Sequence, residues 1–233
     1  MAKKPVITAK EAAAMIPEGA TIMLGGFLAC GSARAIIKEL VASGKGGFTL
    51  IANDMGRDKG PMGEEFYGAA ELIHNKQVKR VIATHVGMSP EVGEQSAAGT
   101  LEVNLIPQGT LAEMIRAAGA GLGGVLTPTG VDTLVEESPF CLGKQEINGK
   151  KYLFEMPYRA DYSLLRPSVA DKFGNFYCAK ATKNFNYVMA GAADRTIIAP
   201  EKIVEIGEID PDRFQVAGVL VDNIVEGEKK WQI

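Results

Sequence analysis

The stretch TIMLGGFLACGSARAIIKELVASGKGGFTLIAND, residues 21–54, determines the fold class that the sequence predicts. An apolar run at 21–27 ends in glycines, and a second apolar run begins at Phe48. Between them, apolar side chains recur at the spacing of one helix face, at Ile36, Ile37, Leu40 and Val41. A strand, a helix and a strand in this order form a βαβ unit, which places the two strands in parallel.

The same alternation continues along the chain. It predicts strands at 78–87 and 102–109, with helices at 64–77 and from Thr110 onward. Later, Asn148-Gly149 between β-forming flanks indicates a type I′ hairpin. We therefore expect an α/β fold with an open, mainly parallel sheet flanked by helices and a C-terminal half that contains a β-hairpin. No linker or repeat divides the sequence, so a single domain over 1–233 is expected.

Two helix starts carry residues that favour capping. Ser32 precedes the first long helix, and its hydroxyl could accept a hydrogen bond from the first turn. Thr110 is followed three residues later by Glu113, the spacing of a capping box.

Composition narrows the classes of function. The chain has 233 residues and a formal net charge of −3, which argues against a broad nucleic-acid surface. Three distant cysteines and two histidines make a structural zinc site improbable, so no metal is expected. The start lacks the apolar segment of a signal peptide, and no apolar run reaches the roughly 20 residues of a membrane helix. These features predict a cytoplasmic protein without membrane contact.

GAGLGG, residues 119–124, matches the G-x-G-x-x-G fingerprint of dinucleotide-binding proteins. That fingerprint requires a strand before the glycines and a helix after them, so that the pyrophosphate meets a helix N-terminus. Here the glycines follow a helical pattern and precede β-like sequence. The glycines are therefore expected to end a helix, and a nicotinamide or flavin oxidoreductase is disfavoured.

Polar residues and glycines follow the predicted strands. In an open parallel sheet, ligands bind at the carboxyl ends of the strands. Four segments follow these strand ends: the glycine-rich residues 25–31, Asn53-Asp54, residues 85–87 with His85, and Gln108-Gly109. Backbone donors, amides and one carboxylate are suited to holding a carboxylate or a thioester oxygen. Asn and Asp are also common turn residues, so neither residue alone indicates a site. His85 has no nucleophile beside it in the sequence. The convergence of these residues on one edge of the sheet is what favours a binding site.

EGATIMLGGFLACGSA, residues 18–33, resembles the N-terminal signature of family I coenzyme A transferases, with Ala33 where the family usually has Pro. The blocks at 101–130 (LEVNLIPQGTLAEMIRAAGAGLGGVLTPTG) and 181–186 (ATKNFN) resemble the α subunits of the acetate/butyrate–acetoacetate type. The likeness runs through nearly the whole chain in the same order.

The resemblance implies transfer of coenzyme A from a short-chain acyl-CoA to a free carboxylate, through a glutamyl–CoA thioester. Coenzyme A would be a substrate, and no permanently bound cofactor is implied. The family's nucleophilic glutamate lies in an S-E-N-G motif on a β subunit; this chain lacks that motif, so a heterotetramer of two α and two β subunits is implied. The resemblance assigns supporting roles to Asn53, Asp54 and Gln108, and coenzyme A contact to Gly25, Gly26, Phe27, Leu28, Ala29, Cys30 and Gly31.

Two alternatives stay open. The chain could be a CoA-transferase subunit for another acid, such as glutaconate or a 3-oxoacid with succinate. It could also be a non-catalytic effector-binding domain of related fold. Such a regulator usually carries a basic DNA-binding helix, which the sequence does not show.

Overall fold

The computed structural model describes residues 2–28, 30–60 and 63–226. Its α-helices are α1 Ala9–Met15, α2 Arg34–Ser43, α3 Ala69–His74, α4 Pro90–Ala97, α5 Gln108–Gly119 and α6 Phe185–Val188. Its strands are β1 Val6–Ile7, β2 Thr21–Leu24, β3 Phe48–Ala52, β4 Arg57–Asp58, β5 Phe66–Tyr67, β6 Val78–Ala83, β7 Glu102–Leu105, β8 Val125–Thr127, β9 Cys141–Ile147, β10 Lys150–Glu155, β11 Ala160–Leu165, β12 Val169–Asp171, β13 Phe176–Tyr177, β14 Ala193–Ile198, β15 Lys202–Val204 and β16 Asn223–Val225.

One large parallel sheet organises the molecule. Its eight strands lie in the order β1-β16-β14-β11-β2-β3-β6-β7, and every neighbouring pair is parallel. The expected α/β class with a mainly parallel sheet is confirmed.

The strand order reverses direction once. From β2 the chain proceeds outward through β3, β6 and β7; it then returns to β11 on the other side of β2 and proceeds outward to β14 and β16. The reversal lies between β2 and β11. In open α/β sheets a crevice forms outside the carboxyl ends of the strands at such a switch point.

Helices cover both faces of the sheet. In β2, Ile22 and Leu24 pack in one buried cluster with residues of α1 and α2, such as Ile37. Met23 points to the opposite face and packs in a second cluster with Met114 of α5. Because successive side chains of a strand alternate between faces, this short apolar strand serves two hydrophobic cores.

The predicted hairpin is present. Asn148 and Gly149 have φ values of 52° and 74°, as a type I′ turn requires, and they join β9 to β10. With β8, these strands form a separate antiparallel sheet in the order β8-β10-β9.

Both predicted helix caps are wrong. Helix α2 begins one residue later than expected, with Ala33 at the N-cap and no side-chain cap. Helix α5 begins at Gln108 after Pro107, so Thr110 lies inside the first turn. Pro107 occupies the N-cap with a φ of −51° and an extended ψ of 134°, so α5 begins directly after it, two residues before the threonine. Glu113 instead pairs with Arg116 at 2.8 Å.

The helix predicted at 64–77 is shorter than expected. Only Ala69–His74 is helical, and Phe66–Tyr67 pairs with β4 as a strand. Glu64 lies before that strand and contacts Arg34 of α2 at 2.6 Å. This long-range ion pair, with strand pairing, holds the segment in a conformation that its helical pattern does not indicate.

The glycines of 119–124 have the structural role that the sequence predicts. Helix α5 ends at Gly119, Gly121 has a φ of 70°, and strand β8 begins at Val125. Positive φ after a helix end is the usual use of glycine. Among the helices that the structure describes, none has the length and apolarity needed to cross a bilayer.

Candidate functional site

The ends of several parallel strands bring the predicted site residues to one edge of the sheet. Gly25 follows β2, Asn53 and Asp54 follow β3, and Gln108 begins α5 just beyond β7. The predicted site residues therefore converge, although they come from segments up to 83 residues apart in number, as the parallel order β2-β3-β6-β7 requires. Ala29, which the resemblance assigns to coenzyme A contact, lies outside the described residues.

A chain of hydrogen bonds links the three supporting residues to the glycine loop. Gln108 Nε2 donates to Asn53 Oδ1 at 2.9 Å, and Asn53 Nδ2 donates to Asp54 Oδ2 at 3.2 Å. Asp54 Oδ2 also accepts the backbone N–H of Leu28 at 2.8 Å. The exposed amide of Gln108 is thus connected to the loop through two buried side chains.

Asp54 acts as a backbone acceptor. Besides the bonds from Asn53 and Leu28, its Oδ1 accepts the N–H of Gly56 at 2.9 Å. Both carboxylate oxygens are occupied, and the side chain is 6% exposed. A carboxylate held in this way positions the loop, since neither oxygen faces open solvent as an attacking group would.

The glycine loop comprises the described residues 25–28 and 30–31. Gly26 and Gly31 have φ values of 127° and 78°, and Leu28 has a φ of 54°. Phe27 and Cys30 exchange backbone hydrogen bonds of 3.0 and 2.9 Å, which close a tight turn. Glycine adopts positive φ readily, but Leu28 in the left-handed region costs conformational energy, so the loop needs support from its surroundings.

A groove of about 670 Å³ opens beside this loop. Phe27 of the loop, Asn53 and Gln108 line it together with Tyr187 and Leu220. Much of the lining is apolar, with Phe27, Tyr187 and Leu220 each at least 40% exposed. A concave, largely apolar surface with a few amide groups is typical of a small-molecule site.

Helix α5 and the residue after it contribute much of the groove lining. Four of these lining residues are small, at Gly109, Ala112, Gly119 and Ala120. Arg116 and Glu113 also line the groove, and their side chains pair with each other at 2.8 Å and are about half exposed. The charged groups therefore stand at the rim, where solvent reaches them.

Sequence reasoning missed Asn184 and Asn186. In the sequence, the segment 181–186 only resembles the family and predicts no role for either asparagine. In the structure, Asn184 lines the groove and Asn186 is fully buried behind the loop. Their partners lie more than 150 residues away, at Gly26 and Gly31. The available signal was the pair of asparagines spaced by one apolar residue, since a buried amide needs polar partners.

His85 lies at the same edge but outside the lining of the groove. Its Nδ1 is 3.2 Å from the hydroxyl of Thr84, and its ring is 6.3 Å from that of Phe27. No group of three or more His, Cys, Asp or Glu side chains that could hold a metal occurs in the part of the chain that the structure describes.

The sequence matches a known protein family. The profile described as "Coenzyme A transferase" matches residues 6–227. The chain is 41% identical over 229 residues to the alpha subunit of the acetate CoA-transferase of Escherichia coli, covering 97% of this chain and 99% of that one. It is 42% identical over 209 residues to the acetoacetyl-CoA:acetate/butyrate CoA transferase alpha subunit of Clostridium acetobutylicum, covering 90% and 91%. It is 38% identical to one subunit of a probable succinyl-CoA:3-ketoacid coenzyme A transferase of Bacillus subtilis, covering 96% and 90%.

Solved structures share the fold. The acyl-CoA transferase YdiF of Escherichia coli, solved as a thioester complex with CoA, matches with a TM-score of 0.82 at 22% identity. The match covers 96% of this chain and 49% of that one, so the chain spans about half the length of YdiF. Glutaconate coenzyme A-transferase of Acidaminococcus fermentans matches with a TM-score of 0.77 at 22% identity, covering 94% and 74%.

Proposed function

The chain belongs to the coenzyme A transferase family as an α subunit, and we propose that it moves coenzyme A between a short-chain acyl-CoA and a free carboxylate together with a β subunit. The acyl groups are acetyl, butyryl or acetoacetyl. The β subunit carries the reactive glutamate, and two α and two β subunits assemble. Coenzyme A is a substrate, and no cofactor is bound permanently.

The observation that carries the proposal is the amide of Gln108 at the groove. It is exposed, it lines the groove, and it is held by the buried Asn53. In acyl transfer, negative charge develops on a carbonyl oxygen, and a preorganised donor beside that oxygen lowers the barrier. The donor is preorganised here because Asn53 is itself fixed by Asp54.

The nucleophile is proposed to come from the partner. Of the carboxylates near the groove, Asp54 is engaged by backbone and amide donors, and Glu113 is paired with Arg116 at the rim. Asp54 has no free oxygen with which to attack a thioester, and Glu113 stands at the solvent-exposed rim beside Arg116. A glutamate that enters the groove on a β subunit would form the glutamyl–CoA thioester next to Gln108, and the kinetics would be ping-pong.

A second candidate is transfer with succinate and a 3-oxoacid, which the likeness to the Bacillus subtilis protein favours. The groove favours the first candidate, in which the acyl group, acetyl, butyryl or acetoacetyl, carries no second carboxylate. Succinyl-CoA retains a second carboxylate that needs a cation, and Arg116, the cation among the described lining residues, is already paired with Glu113. Apolar lining suits an unbranched acyl chain better.

The test is reconstitution. The chain is co-expressed with a β subunit that carries S-E-N-G, and CoA transfer from acetyl-, butyryl- and acetoacetyl-CoA is compared with transfer from succinyl-CoA. Gln108→Ala should lower kcat by about 10²–10³-fold, the cost of one oxyanion donor. Asn53→Ala should lower it similarly and also reduce stability, because Asn53 is 1% exposed and hydrogen-bonded.

Gln145→Ala is the matched control, since Gln145 is an exposed glutamine on β9 outside the groove lining. It should keep the wild-type rate. Wild-type rates in both Gln108→Ala and Asn53→Ala would contradict the assignment of this wall. A preference for succinyl-CoA would contradict the first candidate and favour the second, transfer with succinate and a 3-oxoacid.

A further inference from the structure

We infer that Asn184 and Asn186 are positioning residues that hold the described part of the glycine loop, residues 25–28 and 30–31, in the conformation that contacts coenzyme A. The inference rests on the proposed function for what the loop contacts. The hydrogen bonds of Asn184 and Asn186 to the loop, which together form an asparagine clamp, are this chain's own contacts. Neither residue is proposed to touch the reacting atoms.

Asn186 ties together three segments behind the loop. Its Nδ2 donates to the carbonyl of Gly31 at 3.0 Å, and its Oδ1 accepts the N–H of Arg166, which follows β11, at 2.9 Å. The side chain is 0% exposed. It is therefore packed at the switch point between β2 and β11, where it joins the end of β11 to the end of the loop.

Asn184 holds the loop from the groove side. Its Oδ1 accepts the N–H of Gly26 at 3.1 Å, and its Nδ2 donates to the carbonyl of Cys30 at 3.1 Å. The same Nδ2 donates to the carbonyl of Ala181 at 2.7 Å. One amide thus bridges both arms of the turn, and both its acceptor and its donor atoms are used.

The opposite side of the loop is anchored at Leu28 by Asp54. The loop is therefore held at its two arms by the asparagines and at its tip by the carboxylate. Ordering a backbone segment costs conformational entropy, and a loop that is already ordered before its ligand arrives does not impose that cost on binding. The left-handed φ values of Gly26, Leu28 and Gly31 are maintained by these bonds.

The loop and the clamp also share the groove. Phe27 at the turn and Asn184 both line it, together with Phe185 and Tyr187 from α6. A shift of Asn184 would therefore displace the loop and the groove wall together. A merely structural amide elsewhere in the chain would have no such effect on substrate affinity.

The experiment compares Asn184→Ala with Asn75→Ala. Asn75 is the control because it is an exposed asparagine at the end of α3 whose Nδ2 donates to a backbone carbonyl at 2.7 Å, outside the groove lining. In the complex with the β subunit, Asn184→Ala should raise KM for the acyl-CoA about 5–30-fold, as expected for one or two lost hydrogen bonds. KM for the free acid should stay within about twofold of wild type.

The second measurement does not depend on activity. Hydrogen exchange of the isolated chain is followed in peptides that cover 25–31, with peptides from β3 as the internal reference. Asn184→Ala should accelerate exchange in the loop peptide and leave β3 unchanged, and Asn75→Ala should affect neither. Asn184→Asp, which keeps the acceptor for Gly26 N–H, should retain part of the protection.

The outcomes separate the two proposals. A wild-type complex without CoA-transferase activity would refute the proposed function, while loop exchange would still test the clamp. Unchanged loop exchange in Asn184→Ala would overturn the clamp. Faster exchange with an unchanged KM for acyl-CoA, or an equal rise of both KM values, would overturn the inference that the clamp serves coenzyme A binding. Asn186→Ala should give a larger effect where it folds, because its side chain is fully buried.

Discussion

Single residues show how closely the glycine loop fits its surroundings. A Cβ on Gly25 would overlap the Oδ1 of the buried Asn186. Gly25→Ala should therefore lower the free energy of unfolding by about 1–3 kcal/mol, as overpacking does. Gly93→Ala should raise it by up to about 1 kcal/mol, since Gly93 lies within α4 with open space around its Cα. Denaturant unfolding of the isolated chain measures both, and a neutral Gly25→Ala would contradict the close packing of Asn186.

Glu155 is a buried carboxylic acid on β10. It is 1% exposed, its Oε1 lacks a hydrogen-bond partner in the structure, and burial raises the pKa of its carboxyl above the ordinary value. Because the folded pKa exceeds the unfolded one, the charged form destabilises the fold once the pH rises above the unfolded pKa. Glu155→Gln should therefore stabilise the isolated chain at pH 7 by about 1 kcal/mol, or roughly 2–4 °C in Tm.

The pH dependence identifies the cause. The gain from Glu155→Gln should diminish as the pH falls through the raised folded pKa and vanish below the unfolded value near 4.5. Glu146→Gln is the control, because Glu146 is exposed on the neighbouring strand β9. A gain that is independent of pH would show that the charge of Glu155 is not responsible.

At the scale of elements, the turn from β2 into α2 joins a strained loop to an uncapped helix. Gly26 has a φ of 127°, and a Cβ there would lie 3.3 Å from the carbonyl oxygen of Cys30. Gly26→Val should reduce CoA-dependent activity strongly, since a β-branched residue cannot adopt that backbone without strain. Ala33→Pro should be tolerated, because Ala33 has a φ of −78°, which lies within the range of proline.

Two measurements separate an effect on folding from an effect on activity. Thermal unfolding of the isolated chain measures the stability of each variant, and the rate of CoA transfer in the complex with the β subunit measures its activity. If Gly26→Val and Ala33→Pro reduced the specific activity equally at equal folded fraction, the loop would have only a structural role.

Some elements of the fold could be predicted from the sequence and others could not. Alternating apolar periods predicted the βαβ order, and Asn148-Gly149 predicted the hairpin, because these signals lie within a few residues. The strand-end rule brought Asn53, Asp54 and Gln108 to one edge. The short strand Phe66–Tyr67 could not be predicted, because it depends on pairing with β4. The spacing of Asn184 and Asn186 was visible in the sequence, but their partners in the loop, more than 150 residues away, could not be predicted.

At the scale of the whole molecule, the proposed reaction needs two chains. The isolated chain should form no covalent adduct with acetoacetyl-CoA and should show no transferase activity, since its carboxylates at the groove are already engaged. Adding the β subunit should restore activity, and intact-mass analysis should place coenzyme A on the partner. A coenzyme A adduct on this chain that Asp54→Asn abolishes would make Asp54 the nucleophile.

The pairing of β1 with β16 sets an order of events during synthesis. Val6 lies opposite Ile224 and Ile7 opposite Val225, so the first strand pairs with the last one of the sheet. A ribosome that adds about 5–20 residues per second needs roughly 10–45 s to pass from one to the other. Strands β2, β3, β6 and β7 are complete by Leu105 and can associate while the remainder is still being translated. The edge at β16 forms only after this last strand has left the exit tunnel, so a translational pause before residue 223 would leave a nascent sheet without β16 and would leave β1 without its partner strand.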